Sequence, residues 1–120
     1  MNEDYWSEIS GGEEIDARLA IILRRLHSGF VEILGDRLDA IYLYGSQARG
    51  QARPDSDIDL LIVVNGDQDN ATLFDQTLDL AADLSLEFDV VISRAFLSKE
   101  RFEHEMNPFL MNVRREAVPV

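Results

Sequence analysis

Hydrophobic residues recur at steps of three and four along the first part of the chain. This spacing predicts one long amphipathic helix over about residues 13–35. Its apolar face consists of Ile15, Leu19, Ile22, Leu23, Leu26, Phe30, Ile33 and Leu34. Residues 1–12, which end in Ser-Gly-Gly, are expected to be flexible. We expect residues 1–120 to form a single domain with this helix as its first element.

Three short segments have the pattern of β-strands. Residues 40–44 are apolar and aromatic, and they end at Gly45-Ser46, where the chain can turn sharply. Residues 57–64 begin with alternating polar and apolar side chains and then become continuously apolar, as in a strand that enters a core. Residues 87–92 alternate again, which predicts a third strand with Asp89 inside it.

Helical spacing returns on both sides of the third predicted strand. After the turn signal at residues 65–67, apolar residues predict a helix at Leu73, Leu78, Leu80, Ala81 and Leu84. Beyond Ser98, which can cap a helix, one or two helices interrupted near Pro108 are predicted. Their apolar side is Phe102, Met106, Phe109, Leu110 and Val113. Together these elements predict an α/β domain.

The composition excludes several classes of function. The chain has 23 acidic and 11 basic residues and a formal charge of -12, which is opposite to the basic surface of proteins that grip nucleic acid. It has no cysteine, so neither a disulfide framework nor a thiolate zinc site is possible. Apolar runs such as residues 60–64 are too short to cross a bilayer, and the first residues lack the basic start of a signal peptide. We expect a soluble cytoplasmic protein that binds neither nucleic acid nor membrane.

Three carboxylates are the candidates for a metal site. Because side chains on a strand alternate between faces, Asp57 and Asp59 are expected to point the same way. Two close carboxylates repel, so keeping both ionised is costly unless a divalent cation or several donors neutralise them. If the strand with Asp89 is a neighbour, three carboxylates converge into the oxygen-rich set that magnesium prefers beside substrate phosphates.

The segment between the first two strands has residues that suit phosphate binding. Gly45 allows close approach of the backbone to a phosphate, and Ser46 offers a hydroxyl and an N–H at the start of a short helical turn. Arg49 and Arg53 follow, and a guanidinium can bind phosphate oxygens through two parallel hydrogen bonds. Arg49 is equally consistent with a surface arginine that pairs with one of the many acids.

The order Gly45-Ser46, ten residues, Asp57-x-Asp59 and a later Asp89 resembles the signature of the polymerase β-like nucleotidyltransferases. The strings Tyr-Gly-Ser-x-Ala-Arg-Gly and Ser-Asp-Ile-Asp-Leu are similar to the minimal nucleotidyltransferase subfamily. This resemblance implies a small mixed sheet flanked by helices. It also implies that the three acids bind two magnesium ions, for which manganese can substitute, and catalyse transfer of a nucleoside monophosphate from an NTP to a hydroxyl.

Minimal proteins of this subfamily are typically antitoxins for HEPN-domain ribonuclease toxins. The resemblance therefore implies transfer of AMP from ATP to a tyrosine hydroxyl of a cognate HEPN toxin, with which the chain would form a hetero-oligomer. Two alternatives stay open, an antitoxin that acts by binding alone and a nucleotidyltransferase for a small molecule such as an aminoglycoside. The intact acids disfavour the first alternative, and the expected lack of a second substrate-binding domain disfavours the other.

The remaining conspicuous residues have simpler interpretations. His27 and His104 form no zinc constellation and are expected to be structural or solvated. Tyr42 and Tyr44 are expected to be core or lining residues rather than nucleophiles. Trp6 fits either a packing anchor or a partner contact.

Overall fold

The computed structural model describes residues 13–45, 47–48 and 57–120, with side chains from residue 17 onward. Its elements are α1 (Glu13–Leu34), β1 (Leu38–Tyr44), β2 (Ile58–Val64), α2 (Asn70–Gln76), α3 (Leu78–Phe88), β3 (Ile92–Ser98), α4 (Lys99–His104), α5 (Pro108–Glu116) and β4 (Val118–Pro119). A single 3₁₀ turn at Gly35–Arg37 joins α1 to β1. The predictions for residues 1–12 lie outside the described residues.

The strands form one mixed sheet in the order β3-β2-β1-β4. β1 is antiparallel to both β2 and β4, and β3 is parallel to β2. This confirms the mixed sheet flanked by helices. The central strand β2 is buried at every position except Asp59, which is half-buried. Helices cover both faces of the sheet, which explains why the apolar run of β2 is continuous rather than alternating.

The core is divided by the sheet into two clusters. The larger cluster packs α1 and α3 against one face, and it contains the predicted apolar stripe of α1 from Leu19 onward, with Leu23, Leu26 and Phe30 fully buried. The smaller cluster, on the opposite face, joins Leu61 and Val63 of β2 to the C-terminal helices. The predicted helix over residues 13–35 is therefore confirmed, and its apolar face is the main support of the sheet.

The predicted helix after the second strand is two helices, because the chain breaks at Thr77. The Thr77 side chain is completely buried, and its hydroxyl donates to the carbonyl of Leu73 at 2.9 Å. Arg94 of β3 donates to the carbonyl of Phe74 at 3.0 Å and also to the Thr77 hydroxyl. A threonine hydroxyl competes with the helical hydrogen bonds of the backbone, so it favours a break that the leucine pattern does not reveal.

The prediction of a strand over residues 87–92 is wrong. α3 continues to Phe88, and Asp89 is its C-cap, with left-handed backbone angles of φ 50° and ψ 55°. Ala81 and Leu84 are buried at helical spacing and Phe88 packs on the same core, so burial against α1 extends the helix. The strand begins three residues after Asp89, at Ile92.

The C-terminal part agrees with prediction in its elements and differs in its exposure. Ser98 caps α4 by accepting from the N–H of Arg101, and Pro108 begins α5 after the predicted interruption. Leu110 and Val113 are buried as expected, whereas the side chains predicted beside them on the apolar face, Met106 and Phe109, are exposed.

Candidate active site

Gly45 and Asp59 meet at the point where β1 ends. Gly45 has a φ of 77°, and a β-carbon built on it would lie 2.5 Å from Asp59 Oδ2. A side chain at position 45 is thus disfavoured twice, by the left-handed backbone and by the carboxylate. The predicted need for glycine at this turn is explained by the acid that it accommodates.

Tyr44 lies directly opposite Asp59 in the pairing of β1 with β2. Paired residues of an antiparallel ladder have side chains on the same face, with β-carbons about 5 Å apart. Burial, and then the negative charge of Asp59, raise the pKa of the Tyr44 hydroxyl above its ordinary value. Tyr44 is half-buried and so keeps its proton beside the acid, as expected of a lining residue.

Asp57 immediately precedes β2 and is exposed, whereas Asp59 is half-buried inside the strand. The two acids therefore lie at the entrance of the central strand, two residues apart. Ile58 between them is buried, as alternation requires, and its N–H donates to the carbonyl of Val91 at 2.9 Å. That hydrogen bond joins the acid pair to the chain segment that follows Asp89.

Asp89 does not form the expected three-acid cluster. It lies two residues before Val91, hence at the same end of the sheet as Asp57, but it is exposed in the turn that ends α3. Within the described parts of the chain, no three histidine, aspartate or glutamate side chains are grouped so that they could hold a metal ion. The convergence that we expected from a strand position is absent because Asp89 is not on a strand.

The acid pair nevertheless fits a magnesium ion that is bound together with substrate. Magnesium keeps several waters and is commonly held by one or two carboxylates and the phosphates of a nucleotide. At Gly45 the Asp59 carboxylate lies next to backbone that carries no side chain, and glycine allows close approach of the backbone to a phosphate. The predicted phosphate ligands Ser46 and Arg49, and also Arg53, lie outside the described residues.

An aromatic side chain near the acids was not recognised from the sequence as part of the site. Phe109 at the start of α5 contacts Tyr44 edge to face, with ring centroids 5.4 Å apart. Its helical spacing with Leu110 and Val113 indicated only a core position. No local signal could have indicated this contact, because the two rings are 65 positions apart in the sequence and meet only through packing of α5 on the sheet.

Two surface cavities of about 340 and 350 Å³ lie elsewhere. One is lined by Asn65, Ser98 and His104 at the other end of β2 and β3, and the second includes His27 beside β4. Both histidines are exposed, in agreement with the solvated interpretation. Among the described residues, no helix is both long and apolar enough to cross a membrane.

Comparison with known proteins gives a family for this arrangement. The family model "Polymerase beta, Nucleotidyltransferase" matches residues 31–107, which include β1, the acid pair and Asp89. Two proteins of Methanocaldococcus jannaschii are similar in sequence. "Putative protein adenylyltransferase MJ0604" is 43% identical over 81 residues, which cover 67% of this chain and 75% of that protein. "Putative protein adenylyltransferase MJ0141" is 34% identical over 80 residues, or 65% of this chain and 78% of that protein.

Solved structures share the fold at lower sequence identity. A toxin-antitoxin crystal structure with AMP-PNP superposes with a TM-score of 0.58 at 19% identity, over 80% of this chain and 69% of that one. The crystal structure of "a putative nucleotidyltransferase from Sulfolobus solfataricus" superposes with a TM-score of 0.53 at 18% identity, over 91% of this chain and 87% of that one. With the family model covering most of the sequence, from the end of α1 to the start of α5, this chain belongs to the polymerase β nucleotidyltransferase family.

Proposed function

We propose that the chain is a nucleotidyltransferase antitoxin that transfers AMP from ATP to a tyrosine hydroxyl of a cognate HEPN-domain toxin in the cytoplasm. Membership of the nucleotidyltransferase family supports the reaction class. The relatives named as protein adenylyltransferases support AMP as the group and a protein as the acceptor. The toxin-antitoxin complexes among the structural neighbours support a toxin as the partner, in a hetero-oligomer with this chain.

The contact between Gly45 and Asp59 is the observation that carries the proposal. It keeps a carboxylate at the mouth of the β1 turn and excludes any larger residue from the backbone beside it. The left-handed backbone at Gly45 and the Asp59 carboxylate therefore meet without a side chain between them. This arrangement suits an acid that shares a magnesium ion with the phosphates of a nucleotide, because glycine allows close approach of the backbone to a phosphate.

The residues have separate roles in the proposed reaction. Asp57 and Asp59 hold magnesium, or manganese in its place, while Gly45, Ser46 and Arg49 orient the triphosphate. Two such ions would neutralise charge at the α-phosphate and lower the pKa of the attacking hydroxyl. The tyrosine oxygen bonds to the α-phosphorus, the bond to the β-phosphate oxygen breaks, and pyrophosphate leaves.

We propose Asp89 as the third acid and as the acceptor of the tyrosine proton. Its link to the pair is the hydrogen bond from Ile58 to Val91, which fixes its segment at the end of the sheet where Asp57 lies. In the left-handed cap of α3 its carboxylate is exposed and unconstrained by strand neighbours. The proposal requires this turn to move upon nucleotide binding so that the Asp89 carboxylate joins the pair.

The experiment removes the acid pair and follows both nucleotide binding and the toxin. Calorimetry with magnesium and a non-hydrolysable ATP analogue should show binding to the wild type and none to the Asp57→Asn, Asp59→Asn double variant. The charge-matched control is Asp75→Asn, Asp79→Asn, which removes two exposed acids from α2 and α3 and should bind normally.

Mass spectrometry of the co-purified HEPN toxin with ATP should then show additions of about 329 Da, the mass of one AMP unit, only with wild type and control. If the double variant protects cells from the toxin as well as the wild type does, and neither protein adds mass, then the chain acts by binding alone. If AMP were transferred to an aminoglycoside while the toxin stayed unmodified, the acceptor would be a small molecule and not the toxin.

A further inference from the structure

An aromatic surface lies next to the proposed catalytic acid. The rings of Tyr44 and Phe109 meet at an interplanar angle of 86°, and Tyr44 is the cross-strand partner of Asp59. We call these two rings the Tyr44–Phe109 ledge. Because Tyr44 ends β1 immediately before Gly45, the ledge is continuous with the turn that accommodates the Asp59 carboxylate.

Phe109 is held in place although 46% of it is exposed. The Asn107 side chain caps α5 by accepting from the N–H of Leu110 at 2.9 Å, and Pro108 occupies the first turn. Leu110 and Val113 anchor the same helix in the core beneath the sheet. An isolated exposed phenylalanine is ordinary on a protein surface, but this ring is fixed by a capped and anchored helix and contacts Tyr44, the cross-strand partner of Asp59.

We propose that the Tyr44–Phe109 ledge contacts the base of the bound nucleoside triphosphate by stacking. The inference rests on the proposed function and extends it to how the site binds a nucleotide in preference to a phosphate chain without a base. Bases present a neutral aromatic face, which suits an apolar ledge in a chain with a formal charge of -12. Because every base has such a face, the ledge would favour nucleotides over bare phosphates and would discriminate weakly among the four bases.

The distances favour the base over the tyrosine acceptor. Tyr44 and Asp59 are paired at about 5 Å between β-carbons, and the Phe109 ring centre lies a further 5.4 Å from that of Tyr44. A base is separated from the α-phosphate by a whole ribose, so it can reach Phe109, the outer ring of the ledge, when that phosphate is at Asp59. The ring of an attacking tyrosine is bonded directly to the oxygen that reaches phosphorus, so it lies nearer to the α-phosphate than the base does.

The test compares ATP with inorganic tripolyphosphate, which has the same phosphate chain and no base. Calorimetry with magnesium is performed on the full chain for wild type, Phe109→Ala, Phe109→Trp and Met111→Ala. Phe109→Ala should weaken ATP binding about tenfold and leave tripolyphosphate binding unchanged. Phe109→Trp, which keeps a stacking face, should restore ATP binding. Met111 is 52% exposed on the same helix and is the matched control. Met111→Ala should change the affinity for neither ATP nor tripolyphosphate.

Each other outcome overturns the inference in a different way. Equal weakening of ATP and tripolyphosphate by Phe109→Ala would mean that Phe109 only supports the position of Asp59. Unchanged ATP binding together with a raised KM for the toxin would assign the ledge to the acceptor. If wild type transfers AMP and Phe109→Ala matches it in every measurement, only this inference fails. If wild type binds neither ATP nor tripolyphosphate, the proposed function fails as well.

Discussion

The carboxylate of Asp59 lies against the α-carbon of Gly45, so that a β-carbon there would be 2.5 Å from Oδ2. The contact joins the end of β1 to the entrance of β2 and places Tyr44, Gly45 and the acid in one corner of the sheet. The position of Asp59 therefore depends on the absence of a side chain at the end of the neighbouring strand. A substitution at position 45 can therefore change catalysis without replacing any charged residue, because it displaces the Asp59 carboxylate.

Gly45→Ala should abolish AMP transfer while leaving a folded protein. The left-handed φ costs roughly 1–2 kcal/mol for alanine, and the new methyl group must also displace the Asp59 carboxylate. Gly66→Ala is the control, because Gly66 has a φ of 73° but a β-carbon there would be 3.9 Å from its nearest atom, Gln68 Nε2. Thermal unfolding and transfer rates should show a loss of stability in both variants and a loss of transfer in the first alone. Equal AMP transfer by the two variants would contradict a role in catalysis for the contact between Gly45 and Asp59.

Asp89→Asn and Asp89→Gly should separate catalysis from stability. Asparagine and glycine both tolerate the left-handed cap of α3, so neither variant should unfold, and glycine should stabilise the protein by up to about 1 kcal/mol. Both remove the carboxylate that we propose as proton acceptor, and transfer should fall by about two orders of magnitude while ATP and toxin binding persist. Asp67→Asn, at an exposed position outside the site, controls for net charge. Normal transfer by Asp89→Asn would remove Asp89 from the reaction.

The Tyr44 hydroxyl should lose its proton at a higher pH than an ordinary tyrosine. Burial is the larger cause of its raised pKa and the charge of Asp59 is the smaller one, so Asp59→Asn should lower this pKa only in part. Because the pKa of Tyr44 is higher in the folded than in the unfolded chain, its protonated hydroxyl contributes to the free energy of unfolding. This contribution is complete below the ordinary pKa of 10.0 and is lost as the pH rises through the pKa of the folded state.

Ultraviolet absorbance of tyrosinate during alkaline titration, with Tyr44→Phe to assign the signal, measures this pKa. Wild type should also lose thermal stability relative to Tyr44→Phe as the pH rises above 10.0. An identical Tyr44 titration in wild type and Asp59→Asn would show that the two side chains are not close enough to interact.

The sequence alone determined those features that depend on neighbours a few positions away. The apolar stripe of α1, the cap at Ser98, the break at Pro108 and the glycine turn after β1 all depend on local spacing or backbone preference. The spacing of Gly45 from Asp57 and Asp59 also indicated the family that the comparison confirms.

Tertiary packing decided the rest. Residues 87 and 88 can alternate in a strand or complete a helix, and burial of Phe88 against the α1 cluster selects the helix, which leaves Asp89 in a left-handed cap. Parallel pairing of β3 with β2 brings Val91 to Ile58, and packing of α5 brings Phe109 to Tyr44. These contacts join distant segments, and their free energy comes from surface buried between whole elements, which no local pattern of residues encodes.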